Sequence, residues 1–336
     1  MKALVTGGGG FLGRAIVNHL LQRGDEVTVF ARGAYPELEK KGARLIQGDI
    51  QDLDAITQAC QRIDTVFHVA AKAGLWGDWD DFYGVNVTGT ENVITASRTH
   101  SVPRLIYTSS PSVIFDGADQ CGVDESYPYP THYENAYPHT KALGEQRVLE
   151  ANSHNMLTTS LRPHLIFGPG DNHLLPSLLA RARQGKVPQI GEGTNKVDLT
   201  YVEDAARAHL LAADALHPGS PVAGSAYFIS QDEPVVLWSW INDLLAALEI
   251  HPIRMKLPLW LARAAGAWLV AVHHGLHLHG EPRITPFLAS ELAQNHYYDI
   301  TRAKRDFGYH PTLTMAQATE TTIAWLKTGN VAGFDS

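Results

Sequence analysis

Cysteine is nearly absent: Cys60 and Cys121 are the only two in 336 residues. One pair cannot staple a small secreted scaffold, so the chain reads as reduced and held by its core. Charge is scarce as well, at 18% of residues against 44% hydrophobic, which excludes a disordered chain. Lys and Arg number 27 against 35 Asp and Glu, and a net charge of −8 argues against a nucleic-acid partner. No uninterrupted apolar run reaches the roughly 20 residues a membrane span needs. The best candidate, Leu257–Leu278, carries Arg263 and three histidines and has Pro258 near its start. It reads as a buried or partner-facing helix, with a membrane-surface helix as the weaker alternative. The opening MKALVTGGGG has no apolar stretch of signal-peptide length, so a cytoplasmic location is expected.

The length suits one large domain or two moderate ones with a full core. Short β-branched runs alternate with helical periodicity through the first half. Strands are predicted at Lys2–Thr6, Glu26–Phe30, Arg44–Ile46, Thr65–Val69, Leu105–Thr108 and Leu157–Leu161. Helices are predicted at Phe11–Arg23, Asp52–Cys60, Asp80–Arg98 and Glu134–Ser153. This is the pattern of an α/β fold: a Rossmann-type, doubly wound parallel sheet with helices on both faces. After about Pro169 the pattern loosens, and helices such as Trp238–Leu248 and Met315–Lys327 dominate. Residues 1–169 are read as a dinucleotide-binding domain and 170–336 as a smaller, mostly helical substrate lobe. A strand near Ala226–Ile229 is expected to return to the main sheet.

Between the first strand and helix stands TGGGGFLG, Thr6–Gly13. Gly7, Gly10 and Gly13 let backbone approach a pyrophosphate, and the helix start at Phe11 and Leu12 offers unpaired N–H donors. The second strand then ends Val29-Phe30-Ala31-Arg32. Ala31 fills the place where an acid would hold a ribose 2′-hydroxyl, and the Arg32 guanidinium suits a 2′-phosphate. Arg14 is a possible second cation. NADP(H) is therefore favoured over NAD(H). Asp49 and Ile50 follow the third strand, where a carboxylate can meet an adenine amino group. Val69, Ala70 and Ala71 end the fourth strand with small residues against which a dinucleotide can lie.

Tyr137 and Lys141 stand four apart in a predicted helix and share one face. A neighbouring ammonium is expected to lower the phenol's pKa and fit it for proton exchange with a carbonyl or alcohol oxygen. Thr108-Ser109-Ser110 ends the fifth strand upstream, where a hydroxyl can hold the same oxygen.

Together TGGGGFLG, GDI (48–50), HVAAKAG (68–74), NVTGTENV (86–93), YTSSPSV (107–113) and YPHTK (137–141) resemble the extended short-chain dehydrogenases/reductases. The resemblance spans nearly the whole chain. It implies that Tyr137 is the proton donor, that Lys141 binds the nicotinamide ribose, and that Ser110 orients the carbonyl. It also implies cofactor contact by Asn86 and passage of Pro163 and His164 beside the nicotinamide carboxamide. The runs 70–93, 107–117 and 133–145 resemble the 3β-hydroxysteroid dehydrogenase branch, and within it the reductases of bacterial olefin biosynthesis. That implies NADPH-dependent reduction of a hydrophobic 3-keto acid with two long alkyl chains, beside acyl-condensing, adenylating or β-lactone-processing enzymes. A sterol oxidoreductase uses the same residues and remains an alternative. A sugar-nucleotide epimerase or dehydratase of the same fold is a second, though the acidic ribose ligand is missing. A silent cofactor-sensing scaffold is the non-enzyme alternative, yet both Tyr137 and Lys141 are kept. A homodimer through the two long helices is the family expectation.

Trp76 and Trp79 fall in the loop after the fourth strand. Trp260, Leu261, Ala264, Ala265, Trp268 and Leu269 repeat at helical spacing, as a packed stripe does; a wall of an apolar substrate tunnel is the functional reading. His273 and His277 stand at i, i+4, with His274, His279 and Glu281 nearby. No second ligand-bearing element accompanies them, and no metal is expected. His139 is expected to point away from Tyr137, and the acids of Asp198–Asp204 to be structural.

Overall fold

The computed structural model describes residues 1–329 apart from Leu75, His173, His277 and His279. Seven parallel strands form the central sheet, in the order Ser225–Ile229, Leu157–Pro163, Arg104–Thr108, Thr65–His68, Lys2–Thr6, Glu26–Ala31, Arg44–Gln47. Inner strands such as Thr65–His68 are buried along their whole length, as a sheet covered on both faces demands. The strand order reverses between Lys2–Thr6 and Thr65–His68. Beyond their carboxyl ends lies the crevice where doubly wound sheets bind ligands. The Rossmann-type reading of the alternation holds.

Ser225–Ile229 joins the sheet beside Leu157–Pro163, with Ser225 opposite Thr159. The helix Val202–Ala215 packs on Phe11–Gln22, so later chain also covers the sheet. A separate apolar cluster, including Phe167, Leu179, Trp238 and Leu244, holds several later helices together.

Three features depart from the sequence reading. The helix expected over Asp80–Arg98 is broken into Trp79–Tyr83, a wide π turn at Gly84–Thr88, and Gly89–Thr99. The wide turn carries Asn86 into the interior, a common use of such irregularities near sites. A strand at Gln120–Val123 pairs with His296–Tyr298, a partnership too distant in sequence to leave a local signal.

The third departure concerns Leu257–Leu278. Its helix, Leu259–Leu276, buries only Ala262 and Gly266, while Trp260 is 71% and Trp268 66% exposed. Gly266 explains the orientation: a Cβ there would sit 2.8 Å from the Thr285 carbonyl carbon. The small residues press against the Thr285–Pro286 backbone and turn the tryptophans outward. Trp260 and Trp268 are therefore not part of the core. Among the described residues no helix is long and apolar enough to cross a membrane.

Candidate active site

The glycine turn is built by close contact. Gly7 has φ +68°, and a Cβ on it would meet the Ala70 nitrogen at 2.8 Å. Gly13 packs so tightly that its Cβ would lie 2.2 Å from the Gly7 carbonyl oxygen. No side chain caps the Phe11–Gln22 helix at Gly10, which leaves the first-turn amides of Phe11 and Leu12 facing the crevice. The cradle fits a pyrophosphate.

Arg32 is exposed, and its guanidinium has no ion pair among the described residues; only its carbonyl is engaged, accepting from Gln47 Nε2 at 2.6 Å. Arg14 is not a second free cation. Its Nη2 lies 2.9 Å from Glu37 Oε1, and its guanidinium sits 5.3 Å from the Tyr35 ring centre. Tyr35 itself was not singled out in the sequence, yet its ring lies against Gly9, where a Cβ would come within 2.0 Å of Cζ. An aromatic four residues past the second strand carries no local signal of that placement.

Asp49 is partly buried and accepts from the Gln51 amide at 2.9 Å, beside buried Ile50. Val69 and Ala70 line the crevice opposite the glycine turn, with Ala71 exposed beyond them. Asn86 is spent within the protein. Its Oδ1 accepts from the Lys72 amide at 2.8 Å, and its Nδ2 donates to the Lys72 carbonyl and Thr140 Oγ1. It braces the loop after the fourth strand against the helix of Tyr137.

That helix, Ala136–Glu150, starts where Asn135 caps it, Oδ1 accepting from the Tyr137 amide at 2.8 Å. Ser110 lies near enough to Tyr137 to favour its ionised form, and its Oγ accepts from the Ser112 amide and hydroxyl. Lys141 is buried; its Nζ donates to the Thr108 carbonyl at 2.6 Å and lies 4.1 Å from the Tyr107 ring centre. Burial pushes the Lys141 ammonium down to about 7. Tyr137 departs from expectation: burial pushes its phenol up, outweighing the effect of Ser110, and nearby Glu291 adds to the rise. The Lys141 ammonium is held by the Thr108 carbonyl and the Tyr107 ring, and the lowering expected from it does not outweigh burial. Ser110, Tyr137 and Lys141 are nonetheless brought together at one sheet end.

The structure gives the expected His164 and the motif residue His68 partners that spacing could not reveal. His68 is fully buried between Thr6 Oγ1 at 2.8 Å and Thr90 Oγ1 at 3.0 Å, and burial pushes it down to about 3. His164, next to Pro163 at the end of its strand, lies 2.6 Å from His296. His296 Nε2 must donate to the Glu291 carbonyl at 2.6 Å, so its Nδ1 accepts from His164 Nε2. The two are 132 residues apart.

Trp76 packs on the His273 and His274 rings, and Trp79 on His139, which stacks on Tyr133 away from the Tyr137 hydroxyl. His277 and His279 of the suggested tract lie outside the described residues. A cavity of about 390 Å³, lined by Phe115, Tyr129, Glu134, Pro138 and Phe287 among others, opens beside the start of the Tyr137 helix.

Residues 4–259 match the profile of the "3-beta hydroxysteroid dehydrogenase/isomerase family". A 2-alkyl-3-oxoalkanoate reductase of Stenotrophomonas maltophilia is 46% identical over 94% of this chain and 97% of its own. One of the same name from Shewanella oneidensis is 45% identical over 94% and 84%. The mouse sterol-4-alpha-carboxylate 3-dehydrogenase, decarboxylating, is 37% identical over 96% and 90%. Among solved structures, MoeE5 in complex with UDP-glucose and NAD superposes with a TM-score of 0.75 at 25% identity, covering 98% of this chain and 99% of that one.

Proposed function

The chain belongs to the 3-beta hydroxysteroid dehydrogenase/isomerase family, and on that premise we propose that it is an NADPH-dependent reductase converting a 2-alkyl-3-oxoalkanoate to the 2-alkyl-3-hydroxyalkanoate. One observation carries the substrate class: the 46% identity to a reductase of that name, against 37% to the sterol enzyme. The two names share a chemistry, since each substrate bears its reacting oxygen one carbon away from the carbon that carries the carboxylate. The oxidoreductase class follows from the family.

The nicotinamide, when bound, supplies the hydride. Tyr137 gives its phenolic proton to the C3 oxygen as that carbon is reduced, and Ser110 holds the same oxygen through its hydroxyl. Lys141, tied to the Thr108 carbonyl, keeps a positive charge near the phenolate that results. Gly7, Gly10 and Gly13 with the amides of Phe11 and Leu12 take the pyrophosphate. Asp49, Ile50, Val69, Ala70 and Ala71 flank the adenosine and nicotinamide halves, and Pro163 and His164 the carboxamide. Arg32 beside Ala31 supports NADPH over NADH. Residues 1–169 on this reading hold the dinucleotide, and 170–336 hold the acyl chains.

The test is NADPH oxidation against 2-alkyl-3-oxo acids, 3-ketosteroids and UDP-sugars. Turnover of the oxo acids alone is expected; turnover confined to steroids or UDP-sugars reassigns the substrate. Tyr137→Phe should lower kcat about 10²–10⁴-fold while NADPH still quenches protein fluorescence. Full turnover by that variant would remove Tyr137 from its role.

A further inference from the structure

Nine large apolar side chains stand exposed among the described residues, and six of them lie between Met255 and Leu278. The Leu259–Leu276 helix concentrates them. Trp260, Ala264, Ala267, Trp268, Ala271 and Gly275 are all exposed and follow i, i+4, i+7, i+8, i+11, i+15, which is one continuous helix face. Ala262 and Gly266, the buried positions, lie on the other side.

The charge of this segment is unlike that of the rest of the molecule. From Arg254 to Gly280 there is no Asp or Glu, while Arg254, Lys256, Arg263 and four histidines occur, in a chain of net −8. Arg263 is paired with Glu134 at 2.5 Å. Arg254 and Lys256 are exposed just before the helix, and neither has an ion pair among the described residues.

We propose that this helix is a peripheral docking face for an anionic lipid bilayer. It lies in the plane of the headgroups, with Trp260 and Trp268 at the interface and Arg254 and Lys256 against the phosphates. Eighteen residues give a rod about 27 Å long, and such helices bury an apolar face to about 5–10 Å. Tryptophan is the residue that interfaces enrich.

Charge decides between a bilayer and a second copy of the chain. A symmetric pair of these faces would bring two sets of Arg254 and Lys256 together with no carboxylate in either segment to offset them. Anionic headgroups supply that counter-charge. The helix also touches the site's surroundings: His273 and His274 carry Trp76, and Arg263 reaches Glu134, three residues before Tyr137. The inference does not rest on the reaction proposed above.

Sedimentation with mixed phosphatidylcholine–phosphatidylglycerol vesicles tests it. Wild-type protein should sediment with them and far less with phosphatidylcholine alone. Trp260→Glu/Trp268→Glu should stay in the supernatant while keeping the wild-type melting temperature. Arg254→Gln/Lys256→Gln should weaken binding about thirtyfold, at about 1 kcal/mol per cation. Wild type left in the supernatant, binding indifferent to phosphatidylglycerol, or a double-tryptophan variant that binds as wild type overturns the proposal. A lipid-free dimer that the same double substitution dissociates, without vesicle binding, would give the face to a second copy instead.

Discussion

Nη2 of Arg162 lies 2.6 Å from Oε1 of Glu145, and the two side chains are 3% and 0% exposed. Glu145 is four residues past Lys141 on the Tyr137 helix, and Arg162 belongs to the neighbouring strand. Tyr129 and Ser160 hydroxyls also donate to Glu145, at 2.7 Å each. The pair thus pins the helix of Tyr137 and Lys141 to the sheet. A buried pair contributes little over apolar substitutes, but breaking one strands a charge.

Removing one partner is therefore the expensive change. Arg162→Ala or Glu145→Ala should cost about 3–5 kcal/mol in urea unfolding. Arg162→Met with Glu145→Leu should cost clearly less than either. Single variants as stable as wild type would mean that water reaches the pair.

The proposed preference for NADPH rests on Arg32 rather than on a cluster, because Arg14 is paired with Glu37. Arg32→Ala should raise the NADPH dissociation constant about 10–100-fold, the range of a charged hydrogen bond, and leave NADH nearly unchanged. Glu37→Gln, by freeing Arg14, should tighten NADPH modestly. Equal losses for both dinucleotides in the Arg32 variant would show that the 2′-phosphate is read elsewhere.

Much of this was legible in the sequence. Alternation of β-branched runs with helical periodicity gave the strands from Lys2 to Pro163, because inner strands buried on both faces are rich in β-branched and apolar residues. Gly7 and Gly13 were legible because only a residue lacking Cβ fits those contacts. The π turn at Gly84–Thr88 was not, since its composition is that of any helix. Tyr35 over Gly9 and His164 against His296 depend on tertiary contacts that no local spacing encodes. The outward turn of Trp260 and Trp268 was hidden for a related reason: an apolar stripe marks a face, and Gly266 decides which face packs.

Three histidines are buried and held neutral: His68 is pushed down to about 3, His209 to about 4, and His164 well below its ordinary value. In the unfolded chain each titrates near 6.5. Below that pH the unfolded state binds more protons, so stability falls as pH falls. Each should remove about 1.4 kcal/mol per pH unit between pH 6.5 and its folded value. Urea midpoints should drop steeply from pH 6.5 to 5, with no contribution from these groups above pH 7. A midpoint unchanged down to pH 5 would mean that the rings are already protonated in the fold.

Lys141 and Tyr137 predict different pH limits for reduction, which lets the rate profile tell them apart. Lys141 is pushed down to about 7, so its positive charge is present below that pH and lost as pH rises through it. Tyr137 is pushed above its ordinary value and keeps its proton throughout the neutral range. If the ammonium stabilises the phenolate left by proton transfer, kcat/KM for the oxo acid should decline above pH 7. Lys141→Met should abolish that limb and lower the plateau, leaving the Tyr137 proton in place. A wild-type profile flat to pH 9 would mean that Lys141 acts only by holding the Thr108 carbonyl, a role its neutral amine fills equally well.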